Sequence, residues 1–158
     1  MTAIPPQELL AEYLRAEYAF EHAGREIRVH VGERMPVLSG WPENLPFALL
    51  TAWNPRSVPT PSDVNVAAQA RLVAELERAG ARVVDAVGRN AESSWVEPSL
   101  LAPGLAVEDA DRLARAYGQN AILAGRLGAQ IVLRVYRPEW RREVVDHPFV
   151  EWVTFDAR

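Results

Sequence analysis

Three short segments carry most of the residue types in this chain that could bind a ligand or do chemistry. They are Thr51-Ala52-Trp53-Asn54-Pro55, Ser94-Trp95-Val96-Glu97-Pro98-Ser99 and Gly118-Gln119-Asn120-Ala121. Each segment falls at or near a predicted strand or helix end, and α/β folds commonly place ligand contacts at strand ends. If the segments converge, they form a pocket with an aromatic wall, several amides and one carboxylate. We predict that this pocket binds a small polar or nucleotide-like ligand by stacking and paired hydrogen bonds. The predicted ligand-binding residues in these segments are Trp53, Asn54, Trp95, Gln119 and Asn120.

Glu97 is the residue that we predict for acid–base catalysis, if the site is catalytic. Burial beside tryptophan would raise the pKa of its carboxyl toward neutrality, as a general base of a hydrolase or transferase requires. Glu92 and Asp85 are candidate partners. A surface ion pair between Glu97 and an arginine is the competing interpretation, since one carboxylate without a clear partner is weak evidence for catalysis.

A purely structural interpretation of the same residues stays open. Asparagine before proline commonly stabilises a loop, so Asn54 could serve only the turn at Pro55. Gln119 and Asn120 could form the C-terminal turn of a helix, and both tryptophans could be core residues. The chain would then be a non-catalytic protein-interaction or structural module.

The composition excludes several other chemistries. The chain has no cysteine, and all 17 of its basic residues are arginine, so thiolate, Schiff-base and Walker-type lysine chemistry are ruled out. His22 and His30 are predicted to face each other near the turn, on adjoining strands of one hairpin, but without cysteine or a His-x-x-x-His spacing we expect no metal site. The serines lie in no Gly-x-Ser-x-Gly segment, which argues against a serine hydrolase. We therefore expect no cofactor.

The charge and hydropathy pattern indicates an ordinary globular protein. The net charge is −4, which argues against bulk binding of nucleic acid. Arg137, Arg141 and Arg142 form a small basic cluster around Trp140, for which a solvated terminus and an anion contact are the alternatives. No window is apolar enough to span a membrane, and the N-terminus lacks the pattern of a secretory signal. We expect a cytoplasmic location and no membrane partner.

The periodicity of the apolar residues predicts the elements that position these segments. A helix is expected over about residues 6–16, followed either by a β-hairpin over 18–31 or by a continuation of the helix to His22. Later elements are strand 47–53, a helix that Ser62 caps and that ends near Gly80, strands 81–87 and 95–102, helix 107–117, and strands 120–124, 130–136 and 149–155. Val66, Leu72, Val73 and Leu76 form the predicted buried stripe of the long helix.

The order of these elements predicts an α+β fold. From residue 47 the first six elements match the split β-α-β-β-α-β unit of ferredoxin-like folds. We expect a mostly antiparallel sheet with the two helices on one face, extended by the N-terminal helix and β-hairpin. Residues 1–158 are predicted to form a single domain, with a core at about 13–136 and a C-terminal extension at 137–158. A homodimer that exchanges the last strand is an open alternative.

The three segments, in this order and spacing, resemble a bacterial family known only as a domain of unknown function, family 3293. The resemblance runs from about Tyr13 to Val135. It implies two asparagines one turn apart in the helix that follows the Trp-Asn-Pro segment. The first corresponds to Asn65, which becomes a predicted ligand-binding residue, and Gln69 replaces the second. The resemblance implies no reaction.

Overall fold

The computed structural model of the protein describes residues 4–92 and 94–155. Three α-helices and eight β-strands lie in that part of the chain. They are α1 (Pro6–Arg15), β1 (Glu17–His22), β2 (Arg25–Val29), β3 (Pro46–Leu50), α2 (Ser62–Arg78), β4 (Val84–Arg89), β5 (Val96–Pro103), α3 (Val107–Ala116), β6 (Ala121–Arg126), β7 (Val132–Val135) and β8 (Val150–Trp152). Short 3-10 helices span Pro55–Ser57 and Pro138–Arg142.

All eight strands of the described chain belong to one curled sheet, in the order β2-β1-β4-β5-β3-β6-β7-β8. Every neighbouring pair is antiparallel except β7 and β8, which are parallel. The prediction of an α+β fold with a mostly antiparallel sheet is therefore confirmed.

The N-terminal elements form a helix followed by a hairpin, and the alternative of one long helix is wrong. Strand β1 pairs with β2 from Tyr18 opposite Val29 to His22 opposite Arg25. The two residues of the turn, Ala23 and Gly24, have positive φ angles of 51° and 77°. This conformation suits the right-handed twist of a two-residue hairpin. The adjacent residues Ala19 and Phe20 of β1 are both buried, so both faces of this strand are covered near its middle.

Both faces of the sheet are covered, and this explains why β3 is apolar without alternation. Helices α2 and α3 bury Leu72 and Leu113 against one face, where they join Leu50 in a single hydrophobic cluster. Leu49, the next residue along β3, belongs to a second cluster on the other face. Leu10 of α1 and parts of the segments that flank the strands cover that second face.

The buried stripe of α2 differs from the prediction at its N-terminal end. Leu72 and Leu76 are fully buried as expected, but Val66 is 56% exposed and the buried position in that turn is Asn65. The helical spacing 65, 69, 72, 76 begins with two amides, so an apolar pattern alone selects the wrong face of the first turn. Ser62 is the first helical residue and not its cap, since the cap position is Pro61.

The last strand pairs with a strand of its own chain. Strand β8 pairs with β7 from Val150 opposite Leu133 to Trp152 opposite Val135. The preceding 3-10 helix buries Trp140 in the cluster that contains Leu49. Within the described residues, no helix has the length and apolar character that crossing a bilayer requires.

Candidate functional site

A small cavity, here called the site pocket, brings most of the predicted site residues together. Its volume is about 60 Å³. Five of the seven predicted residues line it: Asn54, Trp95, Glu97, Gln119 and Asn120. Polar and small residues that also line it are Tyr13, Tyr18, Thr51, Ser57, Gly88 and Ser99. Trp53 and Asn65 are not among its lining residues.

Glu97 contributes the acidic group of the site pocket. It lies on β5 opposite Gly88 of β4. Among the described residues, no side chain or backbone group forms a hydrogen bond or ion pair with its carboxyl. Burial raises the pKa of Glu97 to about 8, because a partly desolvated carboxylate loses hydration that nothing in the protein replaces. The carboxyl is therefore mostly protonated at pH 7.

Gly88 leaves room for the Tyr18 ring beside β4, the strand that pairs with β5 at Glu97. Gly88 pairs with Tyr18 on its other side, and a Cβ at position 88 would approach the Tyr18 ring to 3.2 Å. Burial, with smaller contributions from Tyr13 and Glu97, raises the pKa of Tyr18. The phenol thus stays neutral, and no hydrogen-bond partner for its hydroxyl is found in the described part of the chain.

A hydrogen-bond network connects α1 to the third sequence segment along one side of the site pocket. The Tyr13 hydroxyl and Ser57 Oγ share a hydrogen bond of 2.5 Å. Asn120 Nδ2 donates to the Tyr13 hydroxyl at 3.1 Å and to Ser57 Oγ at 3.4 Å. Arg137 Nη1 donates to Asn120 Oδ1 at 3.1 Å. Both functional atoms of the Asn120 amide are therefore engaged within the protein.

Asn54 holds an unusual backbone conformation with the help of Asn65. Its φ and ψ angles of 45° and 68° are left-handed. The backbone N–H of Asn54 donates to Asn65 Oδ1 at 2.9 Å, and Asn65 Nδ2 donates to Asn54 Oδ1 at 2.8 Å. Thr60 completes the arrangement, since its N–H donates to Asn54 Oδ1 at 3.0 Å. Asn65 is a buried positioning residue, and the site pocket does not contain it.

Gln69 joins the first and second sequence segments. Its Oε1 accepts hydrogen bonds from the Thr51 hydroxyl at 3.2 Å and from the Ala52 N–H at 2.8 Å. The Thr51 hydroxyl also donates to the Pro98 carbonyl at 2.8 Å. Gln69, one turn after Asn65 in α2, therefore helps to hold the end of β3 against β5, the strand that carries Glu97.

The first and third segments contact each other directly. The Arg56 N–H donates to the Gly118 carbonyl at 2.7 Å. A Cβ at Gly118 would lie 3.1 Å from Pro55 Cβ, so the close approach depends on glycine. Gln119 Nε2 donates to the Trp53 carbonyl at 3.3 Å and to the Tyr117 carbonyl at 3.2 Å. No described group donates to Gln119 Oε1.

Trp95 lies at the rim of the site pocket with 42% of its surface exposed. Its backbone N–H donates a hydrogen bond to Asn90 Oδ1 in the preceding loop at 3.1 Å. An exposed indole beside a polar cavity offers a stacking surface. Trp53 takes part in the site through its carbonyl, which Gln119 contacts.

Tyr13, Tyr18 and Ser57 also line the site pocket, although the sequence did not predict them as site residues. Tyr13 continues the helical spacing of Leu9 and Leu10, and Tyr18 continues the alternation of β1, so both fit the pattern of packing residues. The phenol in an otherwise aliphatic stripe was the available signal. Ser57 lies in an irregular loop and carried none, although its backbone is left-handed with φ of 59°.

Other predicted groups lie elsewhere. Asp85 lines a separate surface cavity with Glu21, and Glu92 lines another with Arg15, so neither is a partner for Glu97. The proposed pairing of the histidines is wrong, because Tyr18 opposite Val29 places His22 and His30 at opposite ends of the hairpin. No group of three residues suited to hold a metal ion occurs in the described ranges.

The basic cluster of the tail is largely neutralised. Arg137 Nε contacts Glu139 Oε1 at 2.6 Å, and Arg141 Nε lies 3.5 Å from Asp146 Oδ1. Trp140, the aromatic residue of the predicted cluster, is only 4% exposed. It therefore cannot provide a surface for stacking with a nucleic acid.

The fold and site define an α+β protein with a small pocket where the three sequence segments meet. Residues 50–122 match a protein-family model described as "Protein of unknown function (DUF3293)". The match confirms the resemblance, and its span includes Trp53, Glu97 and Asn120. Neither a curated protein nor a solved structure shows significant similarity to the chain.

Proposed function

We propose that the protein binds a small polar ligand in the site pocket. The supporting observation is that Glu97, half-buried and without a partner among the described residues, lies in one cavity with Trp95 and three amides. No fully buried side-chain polar atom of the described residues lacks a partner, so the Glu97 carboxyl keeps some access to solvent through the cavity. A ligand that donates a hydrogen bond to this carboxyl would replace the hydration that partial burial removes.

The volume of the site pocket limits what can enter it. A cavity of about 60 Å³ corresponds to the liquid volume of about two water molecules. It is far below the ~300–1,000 Å³ of pockets that enclose drug-sized ligands. We therefore propose that one polar end of the ligand enters and that the remainder contacts the exposed Trp95. A nucleotide-like ligand would insert only one edge or one substituent.

A screen with a matched set of variants tests this proposal. Thermal shift and two-dimensional NMR with a metabolite panel should identify compounds that perturb the Trp95 indole signal. Glu97→Gln and Tyr18→Phe should weaken those compounds, whereas Glu77→Gln should not, since Glu77 is exposed on α2. Compounds that bind all three variants equally, or no hit at all, would contradict the proposal.

An enzyme is the second candidate, with Glu97 in acid–base catalysis. The observation in its favour is the pKa of about 8, close to the operating pH that general acid–base catalysis prefers. Left-handed backbone at Asn54, Arg56 and Ser57 adds strain of the kind found at active sites. Because Glu97 is mostly protonated at pH 7, it would act first as an acid, and as the predicted base only at higher pH.

Activity assays for hydrolases and transferases, with Glu97→Gln, test this candidate. A pH–rate profile that is unchanged in the variant would contradict it.

A structural role is the third candidate, and it has an observation of its own. The amides of Asn54, Asn65 and Asn120 form hydrogen bonds within the protein. We assign Asn54 and Asn65 to positioning the loop and Glu97 to the ligand. If Glu97→Gln changed no property except stability, the structural role would suffice.

We further propose that β3, α2, β4, β5, α3 and β6 form a ferredoxin-like split core. The strand order β4-β5-β3-β6, with antiparallel neighbours throughout, supports this assignment.

A cytoplasmic location and a homodimer that exchanges β8 also stand as proposals. Light scattering of the purified chain would test the dimer, for which a monomeric mass at micromolar concentration is the contrary result.

A further inference from the structure

The amide donors of Gln119 and Asn120 are already used. Asn120 Nδ2 donates to Tyr13 and Ser57, and Gln119 Nε2 donates to two backbone carbonyls. The carbonyl oxygens of Asn54 and Asn120 are also engaged, by Thr60 and Arg137 respectively. Asn120 therefore has no free amide atom, whereas Gln119 Oε1 and Asn54 Nδ2 have no partner among the described residues.

Several polar groups of the site pocket have no partner among the described residues. They include two acceptors, the Glu97 carboxylate and Gln119 Oε1, two donors, Asn54 Nδ2 and the Trp95 indole N–H, and the Tyr18 hydroxyl, which can donate as well as accept. The two acceptors require hydrogen-bond donors from a ligand, and these donors must lie on a small group because the cavity holds only about 60 Å³.

Aromatic rings surround the same cavity. Tyr13, Tyr18 and Trp95 all line it, and aromatic faces attract cations through their negative quadrupole. No arginine is among the lining residues of the described chain. The nearest one in the hydrogen-bond network, Arg137, directs its guanidinium to Asn120 and Glu139. The cavity itself therefore holds no positive group that would repel a cation.

We propose that the ligand presents a protonated primary amine to the site pocket, an inference that rests on the proposed function. The ammonium N–H groups donate to the Glu97 carboxylate, Gln119 Oε1 and Tyr18, and the aromatic rings contact the adjoining carbon atoms. Glu97 ionises as the amine binds, and its proton leaves to bulk water. The bound pair then consists of one ammonium and one carboxylate, so the charges balance within the cavity.

The proton release follows from the environment of Glu97. With a pKa of about 8, roughly 0.9 of the Glu97 carboxyls carry a proton at pH 7. An adjacent cation favours the ionised form, so binding lowers the pKa and displaces that proton. The titratable groups that face Glu97 are Tyr13 of α1 and Tyr18 of β1, and burial raises the pKa of both. Neither phenol ionises near neutral pH.

Three probes with the same carbon chain test the inference: butylamine, butanol and butyrate. They are titrated by NMR into the full chain labelled with ¹³C at glutamate, so that the Glu97 carboxyl shift reports its ionisation directly. We expect butylamine to bind at least about tenfold more tightly than butanol, since hydrogen bonds to charged groups are the stronger ones. Butyrate should not bind, and butylamine should shift the Glu97 titration by at least about one pH unit to lower pH.

Variants separate the inference from simple accumulation of amines on an acidic protein. Glu97→Gln should lose the preference for butylamine over butanol, and Tyr18→Phe should reduce it. Glu77→Gln should retain it, which controls for net charge. Because each variant is first checked for a native NMR spectrum, a misfolded protein is recognised before titration.

The outcomes distinguish failure of the inference from failure of the proposed function. If butylamine binds no better than butanol, or binds without moving the Glu97 titration, the inference is overturned. The proposed function would still stand if neutral compounds of the metabolite panel bound in a manner that depends on Glu97. If no compound depended on Glu97 or Tyr18, both would be overturned.

Discussion

Asn65 shows at the scale of one residue how a predicted ligand contact becomes a positioning residue. It is 2% exposed, and its amide bonds both the backbone and the side chain of Asn54. Asn54 in turn holds a left-handed backbone, which costs about 1–3 kcal/mol unless the surroundings enforce it. The buried amide supplies that enforcement.

Replacing Asn65 should therefore destabilise the protein. Asn65→Ala leaves the Asn54 N–H without its partner and should lower the free energy of unfolding by about 2–4 kcal/mol. Asn65→Asp at pH 7 buries a carboxylate that faces two acceptors, Asn54 Oδ1 and the Thr60 carbonyl, so its loss should be at least as large. Urea denaturation measures both, with the exposed Gln7→Ala as control. A clearly smaller loss in Asn65→Asp than in Asn65→Ala would contradict the assigned hydrogen bonds.

Glu97 makes stability depend on pH in a particular direction. Its pKa is about 8 in the folded protein against an ordinary value of 4.5, so between these values the folded state binds more protons than the unfolded state. Stability therefore falls as pH rises from about 4.5 to about 8. Glu97→Gln should stabilise the protein by about 1–3 kcal/mol at pH 8.5 and hardly at all at pH 4.

Urea midpoints of the wild type and Glu97→Gln at pH 4 and pH 8.5 measure this difference. Glu77→Gln, on an exposed position of α2, serves as the control and should show no comparable pH dependence. A Glu97→Gln effect of the same size at both pH values would show that the carboxyl titrates normally.

At the scale of elements, the three sequence segments act as one unit. Gln69 ties the end of β3 to β5, and Gly118 lets the turn after α3 pack against Pro55. The site pocket exists because these loops are locked to each other and to α1 through Tyr13.

Two glycines allow this packing to be tested with a matched control. Gly118 and Gly80 both have positive φ, 65° and 84°, but a Cβ at Gly118 would approach Pro55 to 3.1 Å while one at Gly80 meets nothing within 4 Å. Each alanine variant suffers the left-handed strain of about 1 kcal/mol. Gly118→Ala should lose about 1–2 kcal/mol more and should shift the Trp95 NMR signal. Equal stability of the two variants would contradict a tight contact between the first and third segments.

At the scale of the whole molecule, the described residues of the C-terminal region contribute to the core through Trp140 and Val153. Strand β8 extends the sheet, and Trp140 packs in the cluster that covers the face of Leu49. The division into a core at 13–136 and an extension at 137–158 is a sequence-based interpretation that unfolding experiments can test.

Two tryptophans provide that test. Trp140→Ala removes a ring that is 4% exposed and should cost about 3–5 kcal/mol. Trp95→Ala removes one that is 42% exposed at the rim and should cost under about 1 kcal/mol. Urea unfolding followed by circular dichroism and fluorescence measures both. A small effect of Trp140→Ala, or a separate early transition for residues 137–155, would favour an independent tail.

The local elements and the class of fold follow from patterns in the amino-acid sequence. Helical and alternating periodicities depend on near neighbours, so α1, the hairpin, α2 and β3 to β7 could be predicted within a few residues. Those patterns report only which side chains are buried. They placed Val66 in the stripe of α2, because a hydrophobic scale cannot recognise that Asn65 is buried for its hydrogen bonds.

Which predicted site residues lie together, and what each one contacts, is visible only in the tertiary structure. Tyr13 and Asn120 are 107 positions apart in sequence and share a hydrogen bond, a relationship that no local pattern encodes. The missing partner of Glu97 is likewise a property of its three-dimensional surroundings. Hydrogen bonding and desolvation depend on the groups that the fold brings close, and these determine whether a polar residue supports the loop or faces the ligand.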